Sequence, residues 1–309
     1  MSAILSIILP VFLVIGCGYV AVWRGFLRDE AIDGLMTFAQ GFGVPCLLYR
    51  GIVELDLSAT LDPGLLISFY GGALAGFAAG LAGARWLFGR AWEDAVAIGF
   101  VGMFSNSLLL GLPITERAFG ADALQASYVI IAFHAPFGFL IGITAMEIAR
   151  ARGAGLAQIP VKIIRALSGN ALIIGIALGF VVNLGGVPQP AVLTDALDLV
   201  ARAALPTALF GLGGVLYRYR PEGDMRTILY ITAISLILHP AVTWGLGKAF
   251  GLSDAAFRSA VVTASVAPGV NAYLFAHLYG RANRVAASAV LIGTVACMLT
   301  SALWLIVLP

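Results

Sequence analysis

Two short runs combine helix-breaking residues with amide and hydroxyl side chains: Ser105-Asn106-Ser107 leading to Gly111-Leu112-Pro113, and Ala267-Pro268-Gly269-Val270-Asn271. Proline removes a backbone donor and clashes with the carbonyl four residues back, so each run ends one helix and opens another. The opening turn has unsatisfied N–H groups and the positive end of a helix dipole, which together suit an anion. Asn106 and Asn271 carry both a donor and an acceptor and could hold a carboxylate. They could equally do no more than cap the new helices. Ser105, Gly111, Pro113, Pro268 and Gly269 complete this candidate binding set, the prolines holding the helices unwound and the glycines marking the amides offered to the anion.

Arg50, five residues after Pro45, is the one cation placed near such a cavity. It could grip a carboxylate bidentately or extend to the outer interface. His134, His239 and His277 fall on three different apolar segments, and Cys17, Cys46 and Cys297 lack CxxC spacing, so no metal site or disulfide framework is indicated. Without HExxH, GxSxG or paired acids in mid-segment, an intramembrane enzyme has no catalytic group to offer, and no cofactor is implied.

The elements that must position these residues are set by composition. Hydrophobic residues make up 61% of the 309 and charged residues 11%, and the mean hydropathy is +0.98. A soluble domain is closer to 45–50% apolar, so the chain belongs in a bilayer. Its formal charge of +2 is spread singly between apolar runs, which excludes a nucleic-acid partner. With about 20 apolar residues needed per crossing, ten spans are predicted: 3–23, 31–51, 64–88, 94–118, 124–149, 166–184, 195–217, 226–250, 255–279 and 284–308. The first lacks the basic flank of a signal peptide and is predicted to be a spanning helix. A polar connection at 151–165 separates a half at 1–150 from a half at 166–309.

The halves echo each other. Gly18-Tyr19-Val20 resembles Gly179-Phe180-Val181, and Pro45-Cys46-Leu47-Leu48-Tyr49 resembles Pro206-Thr207-Ala208-Leu209-Phe210, both 161 positions apart. Five spans per half is an odd number, so the second half would enter from the opposite side, an inverted repeat that places the two breaks in spans four and nine. Basic residues orient the whole: with the N-terminus outside, thirteen Lys or Arg fall in inner loops, Arg152 among them, against five in outer loops. Both termini are therefore expected outside.

The Pro45–Arg50 run, the Asn106 break with Gly111-Leu112-Pro113, and the run Ala267-Pro268-Gly269-Val270-Asn271-Ala272-Tyr273 resemble the auxin efflux carrier family over essentially the whole chain, particularly its bacterial members often described as malonate transporters. The resemblance implies an all-α fold like that of bile acid symporters and sodium–proton antiporters, with discontinuous fourth and ninth helices crossing between a scaffold and a moving domain. It also implies a homodimer in a bacterial inner membrane. The long central loop of plant auxin carriers is absent, so regulation through such a loop is not carried over. The expected function is secondary transport of a small organic acid anion, malonate-like or auxin-like, by alternating access, with sodium-coupled symport of the bile acid type as the alternative.

Overall fold

The structure, a computed structural model, describes residues 2–150 and 159–309. Residues 151–158 of the expected polar connection, with Arg152, lie outside the described residues. The helices are α1 (Ser2–Trp23), α2 (Asp29–Val53), α3 (Pro63–Leu87), α4 (Trp92–Met103), α5 (Leu112–Phe119), α6 (Leu124–Arg150), α7 (Ile159–Ser168), α8 (Ala171–Gly185), α9 (Ala191–Arg218), α10 (Met225–Ala249), α11 (Asp254–Ser265), α12 (Val270–Tyr279) and α13 (Asn283–Val307).

The expectation of ten spanning helices in two inverted repeats of five is not met. Among the described residues seven helices are long and apolar enough to cross a bilayer, namely α1, α2, α3, α6, α9, α10 and α13, and an eighth crossing arises only if α7 and α8 count as one span bent by 83°. That bend is the one sharply broken span of its kind, and it does not lie in a fourth or ninth position. The physical reason is local. Segments 94–118 and 255–279 have the apolar content of spans, but Asn106, Pro113, Pro268 and Gly269 divide them into the short pieces α4 with α5 and α11 with α12. Segment 166–184 is divided at Gly169, where the Asn170 side chain accepts from Leu172 N at 2.9 Å and starts a new helix.

Three prolines are preceded by π turns, while Pro10, Pro136 and Pro206 lie within helices that carry none. Turns at Ala39–Gly43, Ser107–Gly111 and Ile234–Leu238 each end two residues before a proline, Pro45, Pro113 and Pro240. A proline cannot donate to the carbonyl four residues back, so the ladder widens there and frees acceptors that must find partners at membrane depth. For Pro240 the partner is visible: the freed Leu236 carbonyl accepts the indole N–H of Trp304 at 3.0 Å.

The helices sort into two bundles. In the first, α1 packs on α9, and α2 packs on α8 and α9. Small residues allow it: a Cβ on Gly43 would stand 3.0 Å from Ala204 Cα, and one on Gly179 would stand 2.9 Å from Ile52 Cβ. In the second bundle, α3 packs on α4 and α10, and α13 packs on α10, α11 and α12. Phe100 of α4 stacks on Phe275 of α12 with ring centroids 4.0 Å apart, tying the two broken segments together.

Helices α5, α6 and α7 add polar ties near helix ends. Lys162 of α7 reaches the buried Glu147 of α6, and Arg117 of α5 donates to the carbonyls of Ser6 and Ile7, each at 2.9 Å.

Candidate functional site

The two breaks meet. Ser105 and Pro268 pair as an antiparallel bridge, with Asn106 N donating to the Ala267 carbonyl at 2.7 Å and Gly269 N to the Phe104 carbonyl at 2.8 Å. Two extended backbone pieces thus satisfy each other where each has left its helix, as backbone at membrane depth requires. Gly269 packs directly on the other strand: a Cβ there would touch Asn106 Cα and the Ser105 carbonyl oxygen at 3.5 Å, ordinary contact distance. Pro268 packs its ring on Gly293 of α13, where a Cβ would stand 2.8 Å from Pro268 Cδ.

Beside the crossing lies a cavity of about 80 Å³ lined on one wall by Ser105, Asn106, Ser107, His134, Gly269 and Asn271. The facing wall comes from the other bundle: Gln40 and Leu48 of α2, and Leu172, Ile173 and Ile176 of α8. A drug-sized ligand pocket is about 300–1,000 Å³, so this space admits only a few heavy atoms, on the scale of a carboxylate and its nearest carbons.

Asn106 is 6% exposed, and its two side-chain atoms have separate fates. Its Oδ1 accepts from Leu109 N at 3.3 Å, capping the π turn that leads into α5. Its Nδ2 is buried and has no hydrogen-bond partner among the described residues. An unmet buried donor is costly, and here it borders a cavity. Asn271 is half-buried in the first turn of α12, a helix whose start carries no side-chain cap, so the amides of Val270 and Asn271 are open donors. Ser105 and Ser107 hold each other through their hydroxyls at 2.8 Å.

The predicted set therefore divides. Ser105, Asn106, Gly269 and Asn271 come together at the small cavity, while Pro268 supports the crossing from behind. Gly111 faces Thr263 of α11, with a Cβ position 3.6 Å from Thr263 Cα. Arg50 and Pro113 line a separate, larger crevice of about 860 Å³ between the bundles. Arg50 is already engaged: its Nε donates to Asp198 Oδ1 at 2.6 Å and its Nη2 pairs with Glu54. Glu54 is the i,i+4 neighbour of Arg50 on α2, but Asp198 lies 148 positions away and no local signal announces it.

This pairing makes Arg50 a tie between α2 and α9. Replacing it with Ala is expected to cost about 1 kcal/mol, because Asp198 and Glu54 are both partly exposed, which corresponds to a fall of roughly 2–4 °C in Tm. Anion affinity should change by less than about threefold, within 0.7 kcal/mol; a tenfold loss measured by uptake kinetics would instead place the guanidinium on the substrate.

The residue that sequence reasoning left outside the site is His134. It is 6% exposed in α6, borders the cavity, and its Nε2 lies 3.1 Å from the Ser105 carbonyl oxygen. Nothing local announces this, because the contact joins residues 29 positions apart.

A protein of Rhizobium meliloti (strain 1021) named putative malonate transporter is 24% identical to this chain over 301 residues, covering 97% of this chain and 94% of that protein. The family model described as Membrane transport protein matches residues 3–305. A multi-helix membrane chain matched over nearly its whole length in this way belongs to the Membrane transport protein family, that of the auxin efflux carriers it resembles.

Proposed function

We propose that this transporter moves a small organic acid anion by alternating access, binding the carboxylate in the cavity beside the paired breaks. The observation that carries this reading is the Asn106 Nδ2 donor, buried without a partner at a cavity bounded by both bundles. A carboxylate oxygen there would satisfy Nδ2, and the open amides at the start of α12 would add dipolar support. Asn271 completes the polar wall, and Leu172, Ile173 and Ile176 close over the carbon skeleton.

Because the cavity wall is shared between bundles, a shift of one against the other opens or seals it. The larger crevice carries Arg50, Arg117 and Arg202 and gives water and anions an approach to the boundary between the bundles. Both termini outside, a bacterial inner membrane and a two-copy assembly belong to the same reading. The name of the Rhizobium protein makes malonate the first substrate to test.

The test is uptake of labelled malonate, with mono- and dicarboxylate competitors, into proteoliposomes holding the purified protein, with Na⁺ present or replaced by K⁺. Saturable, sodium-independent uptake competed by small carboxylates is expected. A strict sodium requirement would turn the protein into a sodium symporter, and indifference to every carboxylate would overturn the anion reading.

A further inference from the structure

A cavity that receives an anion needs something to balance its charge, and no Lys, Arg, Asp or Glu lines this one among the described residues. Bringing a bare charge of either sign into a buried site is unfavourable unless an opposite charge comes with it. His134 is the titratable side chain in the lining. Its hydrogen bonding determines which nitrogen can act. The partner of Nε2 is a carbonyl oxygen, which can only accept, so Nε2 carries the hydrogen and donates to Ser105. The lone pair then belongs to Nδ1, which is buried and has no partner among the described residues. A free base and a free amide donor, His134 Nδ1 and Asn106 Nδ2, thus belong to two residues that line one cavity.

The surroundings of the ring suit an imidazolium formed together with an anion. Phe104 lies with its centroid 4.3 Å from that of His134, Phe69 of α3 at 5.5 Å, and Tyr70 is stacked at 6.4 Å. Of these rings Phe104 is near enough for its π-system to attract a cation. The Tyr70 hydroxyl is committed to the Ile130 carbonyl at 2.6 Å. The other titratable group nearby is His239 of α10, which also packs on Phe69, at 5.2 Å. The α2 and α12 side chains facing the cavity, Gln40 and Asn271, are neutral, and those of α8 are apolar.

We propose that His134 Nδ1 takes up one proton with each anion, making the protein a proton-coupled symporter whose coupling site is the wall of the substrate cavity. The inference rests on the anion-site reading above. The proton comes from the aqueous phase that the open crevice faces, forms the Nδ1–H bond, and leaves to the opposite phase when the anion does. By linkage, proton and anion strengthen each other's binding by the same factor.

Calorimetric titration of the purified protein with malonate and with propionate, in buffers of different ionisation enthalpy, counts the protons bound per anion. About one proton per anion is expected for the wild type near pH 7.5, where free imidazole is largely neutral. For His134→Gln, whose amide can still donate to Ser105, no proton uptake is expected, and affinity for propionate, an anion throughout, should become flat from pH 6.5 to 8. In proteoliposomes an acid exterior should speed malonate entry at least about fivefold for the wild type and not for the variant. Wild-type binding without proton uptake overturns the proposal, and that measurement decides even if the variant fails to fold. Proton uptake retained in His134→Gln overturns it too. Failure of both probes to bind, or binding indifferent to Asn106 substitution, instead removes the anion-site reading and this inference with it.

Discussion

Asn106→Asp is expected to lower malonate affinity at pH 8 by a hundredfold or more while leaving the protein folded. The substitution separates the two roles that Asn106 combines. Aspartate keeps an acceptor where Oδ1 receives Leu109 N–H, so the start of the π turn stays capped. It replaces the unpartnered Nδ2 donor with an oxygen that repels a carboxylate. A hydrogen bond to a charged group contributes about 1.5–3 kcal/mol, and with repulsion added the loss passes the roughly 2.7 kcal/mol that a hundredfold requires. Residual binding should appear only at acid pH, where the carboxyl carries a proton and can donate again. Asn106→Ala should lose both affinity and Tm, because cap and donor go together. If the Asp variant binds malonate within about threefold of wild type at pH 8, a change of under 0.7 kcal/mol, Asn106 is a cap alone. Asn271→Ala, at a half-buried position with no second structural duty, is expected to cost about tenfold, the worth of one hydrogen bond of average strength.

How far the sequence reveals this site depends on how local each signal is. Asn106, Pro113, Pro268 and Gly269 are visible because a residue that cannot continue a helix declares itself without reference to its neighbours. Their meeting point is partly visible for the same reason, since backbone freed inside a bilayer must pair with something. The span count failed on the converse. Hydropathy measures whether a segment is apolar, not whether it is continuous, and segments 94–118, 166–184 and 255–279 are apolar but broken. The remaining seven expected spans fall within four residues of α1, α2, α3, α6, α9, α10 and α13, where no break competes.

Charged and titratable residues were the hardest to place. Arg50 looked available because its partner Asp198 sits on another helix of the same bundle, far along the chain. His134 looked structural because a histidine before Ala135-Pro136 carries no mark of the carbonyl it will meet. Both cases turn on contacts between helices, which neither periodicity nor spacing along one helix encodes.

Gly213→Val is expected to be the most damaging substitution in the first bundle, lowering stability by about 3 kcal/mol or more. A Cβ at Gly213 would fall inside the contact radius of the Ile15 carbonyl oxygen on α1, and a Cβ at Gly18 inside that of the Phe210 carbonyl on α9. The atoms in the way are backbone, so no rotamer change can relieve the overlap; the two helices would have to separate. Separation would cost the close packing that holds helices together where lipid is as apolar as the side chains. Overpacking costs typically 1–3 kcal/mol when neighbours can shift, and here they cannot. Gly213→Ala should fall near the middle of that range. Gly16→Ala, on the same α1 helix but with no atom within 4 Å of its Cβ position, is the control, expected to be neutral or to gain up to about 1 kcal/mol from better helix propensity. Thermal melting in detergent reads all three. A fall of several degrees for Gly213→Ala beside an unmoved or raised Tm for Gly16→Ala places α1 in backbone contact with α9. The same Tm for both would mean that α1 is held at a greater distance, and the crevice wall formed by Val11, Val14 and Leu209 would have to be redrawn with it.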